Sequence, residues 1–200
     1  MGPASWQEVS IGQALPYFRL VIVGVRTELD SVLSVVAPLG LAAAASGPTL
    51  MIDLDPVGPA YPGLRSLAEM VETGPTRAEM SPSSGKLAVL RNGGVDPNEA
   101  VDVVEALAAS WTHVVVRMTG VVPPLWPVVP VVPLFPGILA PVRGRAAVWQ
   151  ATTLLDEPPG PGPVLPPLTR SILNGLLRMQ SMPAGRWVAA WRPVWDLPWE

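Results

Sequence analysis

The chain has no cysteine, a single histidine and a single lysine among its 200 residues. Without cysteine there is no disulfide framework, no thiolate zinc site and no cysteine nucleophile. His113 alone cannot build a histidine-rich metal centre. Charge is also scarce: 14% of residues are charged and the formal net charge is −3, which gives no electrostatic reason to expect a phosphate backbone as partner. No nucleic-acid partner is therefore expected. The 49% of hydrophobic residues is more than a disordered acidic tail carries, and the length suits one domain with its own core, taken as residues 1–200. The opening Met1 to Glu8 has neither a basic run nor an apolar signal core, so the expected location is the cytoplasm.

Two uncharged stretches are long enough to span a bilayer. Residues Ser31 to Ile52 are interrupted by Pro38 and by Ser46-Gly47-Pro48, which reads as a buried helix, a turn and a buried strand. Residues Met118 to Val142 hold seven prolines, each lacking a backbone donor that a spanning helix needs. Neither is expected to cross a membrane.

The order of elements points to an α/β fold, a three-layer, doubly wound and mainly parallel sheet. Leu20 to Val23 is an apolar run ending at Gly24, as a buried parallel strand looks. Thr27 to Asp30 opens a helical stretch that stops at Ser46-Gly47, and Thr49 to Leu54 reads as a second strand, which makes a βαβ unit. Gly63 to Glu72 reads as a helix stopped at Gly74, and Lys86 to Leu90 as a strand. Asp96-Pro97-Asn98-Glu99 carries the signature of a capping box ahead of a helix from Asn98 to Ala109, followed by a strand at Thr112 to Val116.

Beyond Met118 the alternation is expected to fail. Thirteen of the 26 prolines lie between Val121 and Pro167, and Pro124, Pro127, Pro130, Pro133 and Pro136 recur every third residue. In a polyproline II helix these rings would align as one ridge. The expectation is an extended edge segment, with a docking ligand for an aromatic groove as the alternative. Ala146 to Thr152 reads as a strand and Leu168 to Gln180 as a helix. Trp187, Trp191, Trp195 and Trp199 follow at intervals of four, with Pro193 and Pro198 ruling out one continuous helix. Such a cluster either fills a core or lid, or is an interaction surface.

From Leu20 to Asp55 the chain resembles the ParA/MinD family of P-loop ATPases, with a strand, a loop, a long helix and a strand closing in Asp-x-Asp. Met51-Ile52-Asp53-Leu54-Asp55-Pro56 is similar to that family's second motif. The resemblance covers residues 19–118, about half the chain; residues 119–200 form a divergent Pro/Trp-rich part. The family's phosphate loop reads Lys-Gly-Gly-Val-Gly-Lys-Thr, and here Arg26-Thr27-Glu28-Leu29-Asp30-Ser31-Val32 stands in register with it. Glycines that wrap backbone N–H groups around phosphates are gone, and Ser31 and Val32 replace the lysine and the magnesium-binding hydroxyl. Lys86 leads into an apolar strand and cannot substitute. In the third motif, Arg117 stands where the family has an aspartate, and His113 where an aromatic is usual.

The resemblance with these departures implies a chain that is not an ATPase. It implies an interaction, assembly or positioning partner of division, chromosome, flagellar or pilus machinery, binding another protein or further copies of itself. No cofactor is expected. The alternative is a residual nucleotide switch in which Arg26, Asp53 and Asp55 hold ATP and magnesium without efficient hydrolysis. Asp53 and Asp55 are also compatible with the end of a strand in any doubly wound sheet. Contact with a membrane surface is left open, although the residues between the tryptophans are not strongly basic.

Overall fold

The computed structural model describes residues 22–27, 30–81, 87–119, 126–135, 145–153, 157–178 and 185–199. Its elements are β1 (Ile22–Thr27), α1 (Ser31–Ala44), β2 (Thr49–Asp53), α2 (Leu67–Thr73), β3 (Leu87–Leu90), α3 (Val101–Ala108), β4 (His113–Met118), β5 (Val128–Leu134), β6 (Val148–Ala151), β7 (Val164–Leu165), α4 (Arg170–Arg178) and α5 (Arg186–Ala189), with a final 3-10 turn at Arg192–Asp196. The strands form a seven-stranded sheet in the order β3-β2-β4-β1-β5-β6-β7, and every pairing is parallel.

Helices cover both faces, as the backbone of a parallel sheet requires. On one face Val23, Val25, Met51 and Val115 pack against α1, α4, α5 and the terminal turn. On the other, Leu50, Ile52, Val114 and Val116 pack against α2 and α3. The helix ends follow local chemistry. Ser66 and Glu69 form a reciprocal capping box at α2, which Gly74 ends at φ 75°. At α3 the expected box does not form: Asp96 accepts from the Asn98 N–H at 2.8 Å inside a turn, and the regular helix begins only at Val101.

As expected, strand and helix stop alternating after Met118: among the described residues β5, β6 and β7 follow β4 with no helix between them, and they extend the same parallel sheet. The expected edge position of the proline segment is overturned. Pro130 and Pro133 lie in β5, between β1 and β6; Pro124 and Pro136, like Lys86, lie outside the described residues.

An interior strand tolerates these prolines because its two neighbours are staggered. The Gly24 N–H donates to the Pro127 carbonyl at 2.8 Å, so the backbone groups of odd-numbered β5 residues face β1 and those of even-numbered residues face β6. Pairing with β1 ends at Val131, and pairing with β6 begins at Val131. The missing donor of Pro133 thus faces the β1 side after that ladder has ended, and that of Pro130 faces the β6 side before that ladder starts. Among the described residues no sheet hydrogen bond is lost at either ring.

His113 is not at an edge either. It opens β4, which lies between β2 and β1, and its ring meets Trp195 edge-on with centroids 4.8 Å apart.

The tryptophans close the α1 face. Trp187 and Trp191 have no exposed surface and meet edge-to-face at 5.5 Å. The Trp187 indole N–H donates to Gln150 Oε1 at 2.7 Å, and that of Trp195 to the Leu41 carbonyl at 3.1 Å. Gly40 of α1 is what lets both inner indoles approach, since a Cβ there would overlap Trp187 and Trp191. Replacing a mid-helix glycine by alanine ordinarily stabilises by about 1 kcal/mol. Here Gly40→Ala is expected to destabilise by about 1–3 kcal/mol through overpacking, read from urea denaturation midpoints; a stabilised variant would show that the indoles do not pack on the helix.

Candidate functional site

At the carboxyl end of β2 the side chains alternate between the two faces. Asp53 points to the α1 face, Leu54 joins the cluster on the opposite face, and Asp55 returns to the first. On the neighbouring strand Arg117 is in register with Asp53, and on its other side with Val25. An arginine inside an apolar strand needs buried partners for its charge, and it finds them here. Arg117 Nη2 donates to Asp55 Oδ2 at 2.6 Å, and Nη1 lies 3.5 Å from Asp53 Oδ1.

The two terminal nitrogens are also held by the loop and helix around them, while the buried Nε has no hydrogen-bond partner. Nη1 donates to the Pro59 carbonyl at 2.7 Å and Nη2 to Ser34 Oγ at 3.4 Å. The guanidinium carbon sits 5.4 Å from the centre of the Tyr61 ring, within cation–π range. Tyr61 in turn donates to the Val35 carbonyl at 2.6 Å, in the stretch of α1 that Pro38 interrupts. Asp55 Oδ1 accepts from the Val57 and Gly58 N–H groups at 3.1 and 2.9 Å, which turns the chain back over the arginine. Gly58 passes so close that a Cβ there would overlap both the Asp55 carboxylate and the Arg117 guanidinium.

Asp53, Asp55 and Arg117 are 0%, 4% and 1% exposed, so two carboxylates share one guanidinium in a low-dielectric interior. Burial pushes the Asp53 carboxyl up to about 6, against the opposing pull of Arg117 and of the Asp55 N–H. Asp53 Oδ2 has no hydrogen-bond partner, which accounts for the cost of ionising it. Burial likewise raises the Tyr61 phenol above its ordinary range, so it remains a neutral donor.

No family model, curated protein or solved structure matches this chain. Its chemistry therefore rests on its own residues, and these do not fit a magnesium nucleotide. The Arg117 guanidinium lies against both carboxylates, where a cation would have to compete with it. The amides at the start of α1 are occupied too: Asp30 Oδ1 accepts from the Val32 and Leu33 N–H groups at 2.8 and 2.9 Å, where a phosphate-binding helix offers its amides to the ligand.

The sequence-derived trio of Arg26, Asp53 and Asp55 is not brought together. Arg26 shares its register row with Met118, not with Arg117, and alternation along β1 turns it to the opposite face of the sheet. Among the tryptophans, Trp187 and Trp191 lie in the core and present no surface to a partner, so an interaction surface made of all four is corrected. Trp195 and Trp199 are partly buried on the same cluster, a lid over the α1 face. Tyr61, Ser34 and Pro59 were missed as site residues. The available signal was Arg117 itself, a charge in an apolar strand that called for a set of buried acceptors.

Between about pH 4 and pH 6 folded Asp53 keeps a proton that the unfolded chain has lost, so its contribution makes stability fall as pH rises through that window, with the full cost present above it. Asp53→Asn is expected to flatten this slope in urea denaturation and to leave stability at neutral pH within about 1 kcal/mol of the parent. Asp55→Ala, which strips Arg117 of its short partner, is expected to lose about 3–5 kcal/mol. An unchanged slope in the Asp53 variant would assign the pH dependence to another group.

Proposed function

We infer that this chain is a non-catalytic, ParA/MinD-like protein that acts as an interaction, assembly or positioning partner within a larger machinery. The observation that carries the reading is the Asp53–Arg117–Asp55 cluster. In open α/β sheets ligands bind outside the carboxyl ends of the strands, and at that place this chain supplies its own cation to its own carboxylates. Asp30 supports the reading from the other side, as the chain's own anion on the N-terminal amides of α1. With both charges provided internally, the end of the sheet acts as a clamp. It ties β2, β4, α1 and the 55–61 loop together and offers no pair of groups poised for hydrolysis.

The reading is tested by thermal unfolding of the whole chain with millimolar ATP or GTP and magnesium, alongside a phosphate-release assay. No change in midpoint and no release above buffer are expected. A ligand at a hundredfold its dissociation constant adds about 2.7 kcal/mol, so binding would show as a shift of several degrees. Such a shift would favour the residual nucleotide switch instead.

A further inference from the structure

The sheet separates two exposed clusters of opposite charge. On the α1 side, α4, α5 and the terminal turn form the outer layer, packed on α1. Between residues 164 and 199 the sequence has four arginines and one acid, Asp196. Arg170, Arg178, Arg186 and Arg192 are all exposed. On the opposite side, residues 92 to 112 contain four acids and no basic residue. Asp96, Glu99, Asp102 and Glu105 fall at intervals of three along the turn and helix of α3, and all are exposed. None of these eight residues forms an ion pair among the described residues, in contrast to Arg65, which bridges Glu69 and Glu79.

We propose that the arginine-bearing layer of α4, α5 and the terminal turn docks on the α3 layer of a second copy of this chain. The two clusters match in number and oppose in sign, and on one molecule the sheet holds them apart, so they can meet only between molecules. The contact joins different surfaces of the two copies, which makes it heterologous. Successive copies add head to tail and give an open chain unless the rotation closes a ring. Leu177 and Leu197, 43% and 38% exposed, lie in the arginine layer and supply the apolar area that charge pairs alone lack. Exposed pairs are individually weak and screened by salt, so the association is concentration-dependent and reversible, and its charges steer the encounter. The proposal deepens the assembly reading by naming the partner, but it rests on surface charge and not on the state of the nucleotide site.

The test is sedimentation velocity of the whole chain over a concentration series in about 50 mM and about 500 mM salt. The weight-average sedimentation coefficient is expected to rise with concentration at low salt, and the association constant to fall on the order of tenfold or more at high salt. Arg186→Glu with Arg192→Glu, and separately Glu99→Lys with Asp102→Lys, are expected to sediment as monomers at low salt. An equimolar mixture of the two variants is expected to associate again, since each reversed face then meets its complement. A wild-type chain that stays monomeric at low salt overturns the proposal, whatever the nucleotide experiment shows. So does association that is indifferent to salt or that survives both reversals.

Discussion

The fold turns on one buried charge. Arg117 cannot reach water, so the elements around it supply acceptors to its terminal nitrogens. Asp53 comes from the end of β2, Asp55 from the residue pair beyond it, Ser34 from α1 and the Pro59 carbonyl from the loop. Removing any of these leaves part of a guanidinium desolvated and unpaired, which costs far more than an exposed ion pair contributes. Burial, against the opposing pull of Arg117, makes Asp53 hold its proton to a higher pH than an ordinary aspartate does. In a doubly wound sheet the carboxyl ends of the strands are the usual place for a ligand. Here the same place has become an internal joint.

A second constraint sits on the α1 face. Trp187 and Trp191 are held inside, edge to face, by the missing side chain at Gly40 and by the amide of Gln150 on β6. The last part of the chain is therefore tied to both halves of the sheet: to α1 next to β1 and β2, and to β6 in the extension beyond β5. The stagger of β1 and β6 along β5 makes that extension compatible with two prolines, because each ring falls where one ladder is absent. Packing of the indoles and placement of the prolines thus serve the same end, a sheet of seven strands instead of four.

Much of the first half was legible in the sequence. The apolar runs at Leu20 to Val23, Thr49 to Leu54 and Thr112 to Val116 are short, as doubly covered strands are, and Gly74 marks a helix end, whereas the caps at Ser66 and Asp30 appear only in the structure. These are local signals, and they survive in the structure with shifts of a few residues. In the second half the strand expected at Ala146 to Thr152 and the helix expected at Leu168 to Gln180 appear as β6 and α4, but the proline and tryptophan segments were not legible by the same means. Proline at every third position reads as polyproline or as an edge, since nothing local indicates that two neighbouring strands are offset. Tryptophan at every fourth position is equally compatible with a core and with a surface, and only the space above Gly40 separates the two.

The sequence by itself determined the alternation of strand and helix through β4. It also determined the absence of a glycine-rich phosphate loop and the exclusion of cysteine and histidine-rich chemistry, because composition suffices for each. The tertiary structure alone decided that Arg117 joins Asp53 to Asp55, that Arg26 lies across the sheet from them, that β5 is interior, and that the four arginines of α4, α5 and the terminal turn lie on the opposite side of the sheet from the four acids along α3. The physical reason is the same in each case: strand register and face are set by pairing with residues distant in sequence, and a shift of one residue would turn every one of these side chains to the other side.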